Sequence, residues 1–152
     1  MAGNFEAAVS AWAAKSERRM TAVFREATQS LSNEVRKPKS EGGHMPIVTG
    51  NLRRSLLAST SEIPTLKPGA EDFSENDKQI TLTIAGATLG ETIYLGFQAA
   101  YARRMEYGFK GQDSLGRTYN QAGNGFVRLA VQRWQAIVDE AARTIQSRVE
   151  SR

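Results

Sequence analysis

Ile80-Thr81-Leu82-Thr83-Ile84 and, a short glycine-bounded turn later, Ile93-Tyr94-Leu95-Gly96-Phe97 decide whether this chain is all-helical or mixed. In the first run Ile80, Leu82 and Ile84 alternate with threonines; in the second Ile93, Leu95 and Phe97 share one side. A two-residue period built from β-branched and aromatic side chains predicts two strands. Joined through Gly86-Ala87-Thr88-Leu89-Gly90, they should pair as an antiparallel hairpin with one face under helices. A weaker strand pattern runs from Leu57 to Ile63.

Residues 4 to 36 read as one long amphipathic helix. Phe5, Val9, Trp12, Met20, Val23, Phe24, Ala27, Leu31 and Val35 recur in steps of three and four, interrupted at the polar Ser16. Asn4 suits the N-cap, and Lys37-Pro38 stops the helix. At ~1.5 Å per residue it spans about 48 Å, more than a domain of this size needs for its own core. Its stripe therefore either folds wholly onto the chain's own sheet or packs in part on another subunit. A last helix is expected from Phe126 to about Val149, its inner side Leu129, Ala130, Trp134, Ile137, Val138, Ala141, Ile145 and Val149. Trp12 and Trp134 sit on these stripes and read as core rather than as ligand platforms.

Two polar stretches interrupt the pattern, and both are expected to be mobile. Residues 59–78 form an acidic loop, with Glu62, Glu71, Asp72, Glu75 and Asp77 against Lys67 and Lys78. Residues 109–125 form a glycine-rich connection, long enough to suggest a functional or assembly-ordered loop. The expected fold is one α+β domain over residues 1–152, a small antiparallel sheet packed against long N-terminal and C-terminal helices.

Composition excludes several classes. No apolar run approaches the ~20 residues of a membrane span. The opening Met-Ala-Gly-Asn-Phe-Glu lacks the basic-then-apolar layout of a secretion signal. The absence of cysteine removes disulfides, thiolate metal sites and cysteine nucleophiles. His44, the sole histidine, lies beside Gly42-Gly43 with no second metal-ligating partner, and no nucleophile-elbow pattern occurs. No catalytic, cofactor or metal site is expected. The net charge is +4, with arginine-rich pairs at 18–19, 53–54 and 103–104. That is compatible with bordering nucleic acid but too small to name it as a dedicated ligand.

Three short segments carry a more specific pattern. Pro46-Ile47-Val48-Thr49-Gly50-Asn51-Leu52-Arg53-Arg54-Ser55-Leu56 reads as an extended entry followed by a short helix. Thr49 would be its cap, Leu52 and Leu56 its apolar side, and Arg53 and Arg54 its outward face. Tyr101-Ala102-Arg103-Arg104-Met105-Glu106-Tyr107-Gly108 reads as a helix with Tyr101, Ala102 and Met105 inward and Gly108 as C-cap. Asn124-Gly125-Phe126-Val127-Arg128-Leu129-Ala130 opens the last helix.

In this order the segments resemble the Pro-x-x-Thr-Gly-x-Leu-Arg-x-Ser, Tyr-Ala-x-x-x-Glu-x-Gly and Pro-Phe-Leu-Arg-Pro-Ala motifs of a known family. It is that of the small neck and tail-completion proteins of long-tailed bacteriophages. The matching positions are Pro46, Thr49, Gly50, Leu52, Arg53, Ser55, Tyr101, Ala102, Glu106, Gly108, Phe126 and Arg128; Gly125 and Leu129 stand where the family has prolines. The resemblance implies a virion structural protein that forms a ring, with six copies expected, and joins a DNA-filled head to its tail. Implied neighbours are the stopper or head-closure protein above and the tail terminator or tube below. DNA would pass through the ring without sequence-specific binding, and no membrane would be involved. The protein would be made in the host cytoplasm and end in the virion neck or tail. A tail-terminator ring is the nearest alternative, and a basic nucleic-acid-binding module the alternative from another class. Arg53, Arg54, Arg103, Arg104, Phe109, Leu115 and Tyr119 are the candidate subunit-interface residues, with the acidic loop as counterpart.

Overall fold

The computed structural model describes residues 2–69 and 72–152. Helix α1, Ala2–Val35, matches the expected long helix almost end to end and stops before Lys37-Pro38. A 3-10 turn at Lys39–Glu41 leads to the short helix α2, Asn51–Arg54, and directly into strand β1, Leu56–Ser59. Then come α3 (Asp77–Gly86), β2 (Tyr94–Phe97), α4 (Ala102–Tyr107), β3 (Gly108–Gln112) and β4 (Thr118–Ala122). Helices α5 (Arg128–Gln132) and α6 (Trp134–Glu150) complete the chain. The fold is α+β, with two antiparallel two-stranded sheets, β1-β2 and β3-β4.

The strand expected at Ile80–Ile84 is a helix instead. Ile80 and Ile84 are one helical turn apart and both buried, whereas Leu82, which a strand would have placed beside them, is 60 % exposed. Asp77 opens α3 and pairs with the buried Arg36 guanidinium at the end of α1. The second run does form a strand, but its partner is β1, in the register Leu56↔Phe97 to Ser59↔Tyr94. The sheet thus draws on the weaker Leu57–Ile63 pattern, shifted one residue earlier and ending at Ser59.

Three apolar clusters organise the body. Val35, Leu56, Ala58, Ile80, Ile84 and Ala130 form one, between α1, the β1-β2 sheet and α3. A second, of Met45, Leu52, Ala99, Ala102 and Phe126, gathers the connecting segments. The third, of Ala27, Ile137 and Ala141, seals α6 antiparallel against α1, where Arg133–Glu34 and Arg148–Glu26 ion pairs flank the seam. The expected continuous last helix is broken at Arg133. The break lets Ala130 enter the first cluster while Ile137 and Ala141 enter the third.

Both tryptophans depart from the expected core. Trp12 is 70 % exposed and Trp134 38 % exposed, because Trp12 lies on α1 beyond the end of α6 and Trp134 at the α5–α6 break. Phe5, Val9 and Met20 on the same α1 stripe are exposed as well. Val23, Ala27, Leu31 and Val35 continue that stripe inward.

The stretch expected as a structureless connection, 109–125, is mostly the β3-β4 hairpin, paired from Gly108↔Ala122 to Gln112↔Thr118. Its turn is built on Asp113, which accepts the N–H groups of Leu115 and Arg117 at 2.9 Å and the Arg117 Nε at 2.6 Å. Desolvation opposes the charged form, but hydrogen bonds from Arg117, Leu115 and Tyr119 outweigh it and hold the Asp113 carboxyl below its ordinary value. Support for the turn is therefore full above the ordinary aspartate value, about 3.9, and is lost as pH falls through the lower folded-state value. In an acid titration followed by amide NMR, the Leu115 and Arg117 signals should shift only below about pH 4, and Asp113→Asn should abolish the transition. A midpoint at or above the ordinary value would contradict this turn.

Candidate functional site

The three motif segments, far apart in sequence, converge on the second apolar cluster. Gly50 adopts φ 78°, a left-handed conformation that suits glycine and turns the chain into α2. Gly50, not Thr49, occupies the N-cap position; Thr49 Oγ1 accepts the Asn51 N–H at 3.3 Å, one weak local bond. Leu52 and Leu56 do not share a helix face. Because α2 ends at Arg54, Leu52 packs with Met45, Ala99, Ala102 and Phe126, while Leu56 opens β1 in the other cluster. Ser55 is buried, donates its hydroxyl to the Leu52 carbonyl at 2.8 Å, and receives the Gln98 N–H on its own carbonyl at 2.9 Å.

Asn51 and Arg54 together hold the peptide groups of Phe73. The buried Asn51 accepts the Phe73 N–H at 2.7 Å, and Arg54 Nε donates to the Phe73 carbonyl at 2.7 Å. Two side chains thus supply what a neighbouring strand would, fixing the end of the acidic loop to α2. Arg54 also reaches the Thr49 carbonyl at 3.2 Å, so it turns inward rather than outward as expected. Arg53 is exposed and lines a shallow polar cleft of about 380 Å³ beside Glu34, Lys37 and Glu41. Glu71, part of the expected acidic counterpart, lies outside the described residues, and Asp77 is engaged by Arg36.

The second segment is tied to the first through Asn51 Nδ2, which donates to the Tyr101 hydroxyl at 3.2 Å. Tyr101 itself remains 39 % exposed rather than inward, while Ala102 is buried. Arg103 and Arg104 are exposed, and the Arg104 guanidinium lies 4.2 Å from the Phe109 ring centroid, a cation–π contact. Phe109 in turn meets Tyr119 across the hairpin at 5.9 Å between centroids, and Leu115 at the hairpin tip is 75 % exposed.

The second and third segments are locked by Glu106. Its buried carboxylate accepts the Val127 N–H and the Arg128 N–H, both at 2.9 Å, one on each oxygen. These are among the orphan donors at the start of α5, so a charged side chain from α4 caps another helix at long range. Gly108 caps α4 as expected, at φ 85°. A Cβ there would lie 2.5 Å from the Gln121 carbonyl oxygen, and one at Gly123 would lie 2.4 Å from the Glu106 carbonyl oxygen. Only glycine lets the two hairpin strands close against the end of α4. Phe126 completes the junction, 1 % exposed and edge-on to Phe97 at 5.2 Å and 86°, whereas Arg128 is exposed.

The cavity bordered by Pro46, Thr49, Gly50, Leu52, Tyr101 and Met105 is about 60 Å³, well under the few hundred typical of small-molecule sites. Among the described residues no group of histidine, cysteine or carboxylate side chains is placed to hold a metal ion, and no helix is long and apolar enough to cross a membrane. What the segments build is a mechanical junction: α2 fixes the loop end, α4 fixes the start of α5, and the hairpin springs from between them. Glu106 and Asn51, its two central polar residues, cannot be found from periodicity. The motif pattern marked Glu106, and nothing marked Asn51. The chain matches no protein-family model, no curated protein and no solved structure.

Proposed function

We propose that this chain is a virion structural protein of the head–tail connector, forming a ring that joins a DNA-filled head to its tail. The observation that carries the reading is the way Leu52, Ala102, Glu106 and Phe126, all motif positions, lock into one junction. Side chains that resemble a family's signature meet here as structural elements, which suits a function exerted by shape. The exposed apolar stripe of α1 and the projecting β3-β4 hairpin offer surfaces for neighbours in such a ring. Each copy would present one surface to the next in a heterologous contact, with closure fixing the copy number, six in this reading. The modest positive charge suits a wall along which DNA slides.

The test is removal of the gene from the virus that carries it. Separate DNA-filled heads and finished tails should accumulate, with few joined particles by electron microscopy. A normal yield of joined particles would end the proposal. If tails instead grow to irregular length, the protein is the terminator ring that caps the tail tube.

A further inference from the structure

The middle of α1 and the end of α6 enclose a cleft that nothing among the described residues fills. Its floor is Ala22, Ile145 and Val149, and its rim carries Lys15, Arg18, Arg19 and Arg152, with a volume of about 300 Å³. None of these four cations has an ion-pair partner among the described residues. Beyond the cleft α1 continues for roughly 20 Å with Phe5, Val9 and Trp12 exposed. An apolar floor, a basic rim and an apolar extension specify an occupant that is both acidic and apolar.

One exposed segment of this same chain has that chemistry. Ile63 is 68 % and Leu66 56 % exposed, next to Glu62 and on the loop that also carries Asp72 and Glu75. The segment is held in a fixed shape. The Lys67 N–H donates to the Gln98 carbonyl at 2.9 Å, Gln98 Nε2 donates to the Thr65 carbonyl at 3.2 Å, and Pro64 lies over Gly96. Fixing the backbone while leaving two large apolar side chains in water prepares a surface for association at reduced ordering cost. The segment cannot reach its own cleft. It is pinned beyond Ser55–Gln98, next to the sheet that packs on Val35, whereas Arg19 lies about 24 Å back along α1.

We infer that Glu62, Ile63 and Leu66 of one copy seat in the α1–α6 cleft of a second copy. The carboxylate meets Lys15, Arg18 and Arg19, and the two apolar side chains cover Val149 and the α1 stripe. The contact is heterologous, so each joined pair keeps one free cleft and one free loop, and a chain of copies closes into a ring or grows as a filament. Antiparallel pairing of the stripe with itself is less favourable. On a 3.6-residue turn Lys15 and Arg19 border one edge of the stripe and Glu6 and Glu17 the other, so antiparallel pairing sets each edge against its own sign. The inference deepens the ring reading above and rests on it for closure.

The absence of native cysteine allows a clean test. Ile63→Cys and Val149→Cys are placed together in the full chain, both at exposed positions, and treated with a short bis-maleimide at protein concentrations up to about 1 mM. The expected product is a ladder of dimers, trimers and higher species. It should fall about tenfold when Arg18 and Arg19 are changed to Glu, and recover when Glu62 is changed to Lys in that background. Far-UV circular dichroism checks that every variant is folded. Monomer alone overturns the inference, and so does a ladder insensitive to the charge changes. Cross-linked dimer from Val149→Cys alone would mean that the cleft meets its own kind instead, which also overturns it. Monomer here with separated heads and tails in the gene deletion would remove this contact and leave the connector reading standing. A charge-sensitive ladder with normal particles would do the reverse.

Discussion

Glu106→Ala is expected to destabilise the protein by about 3 kcal/mol, since a hydrogen bond to a charged group contributes ~1.5–3 kcal/mol and two are lost. The Val127 and Arg128 N–H groups, now satisfied at 2.9 Å each, would be left at a helix start with no side-chain acceptor. For a chain of this length the melting temperature should drop by roughly 6–12 °C. Glu106→Gln should fall between, because its amide keeps one oxygen to accept but turns an NH2 toward the second donor. Melting followed by circular dichroism measures both. An alanine variant that melts with the wild-type protein would show that water replaces the carboxylate at no cost and that the α4–α5 lock is dispensable.

Phe126→Ala should cost about 4 kcal/mol, within the range for emptying a buried aromatic site. The side chain is 1 % exposed, at the centre of the cluster that holds Met45, Leu52, Ala99 and Ala102, and it also loses the edge-on contact with Phe97. Phe126→Leu retains much of the volume and should cost roughly 1–1.5 kcal/mol. Chemical denaturation gives both values. Equal costs would mean that the ring geometry, not the filled volume, decides this site; a negligible cost for alanine would mean that the junction collapses around the gap.

How much of this was legible in the sequence depends on how far each element relies on local pattern. The long α1 and most of α6 could be read, because their three-and-four spacing persists over many turns and Lys37-Pro38 supplies a stop. Ile80-Thr81-Leu82-Thr83-Ile84 could not, since apolar residues at i, i+2 and i+4 satisfy a strand and also place the first and last on one helical face. Threonine favours strands, but packing of Ile80 and Ile84 against Leu56 and Ala58 decided the outcome. Asp77 in the first turn was the available helix signal. The β3-β4 hairpin was hidden because nearly all of it is exposed: with no buried face there is no alternation to read, only Asp113 and Gly116 marking the turn.

The candidate site was legible only as motif pattern. Periodicity assigns Leu52 and Ala102 to inner faces correctly, but it is blind to a buried carboxylate that caps a distant helix. It also cannot tell a covered stripe from a bare one: Val23 and Trp12 lie on the same side of α1, one sealed by α6 and the other beyond its reach. Arg54 was misplaced for a similar reason. A guanidinium between two leucines on a short helix looks solvent-facing until the Phe73 carbonyl is brought against it.

The most direct measurement of the proposed role is reconstitution. Heads and tails from a virus lacking this gene are mixed with the purified chain, and joined infectious particles are counted by plaque titre and electron microscopy. Joining should require the added chain, and Glu106→Ala should support it only at temperatures where the variant remains folded. Heads and tails that join equally well without the chain, or fail to join with it, would contradict the account.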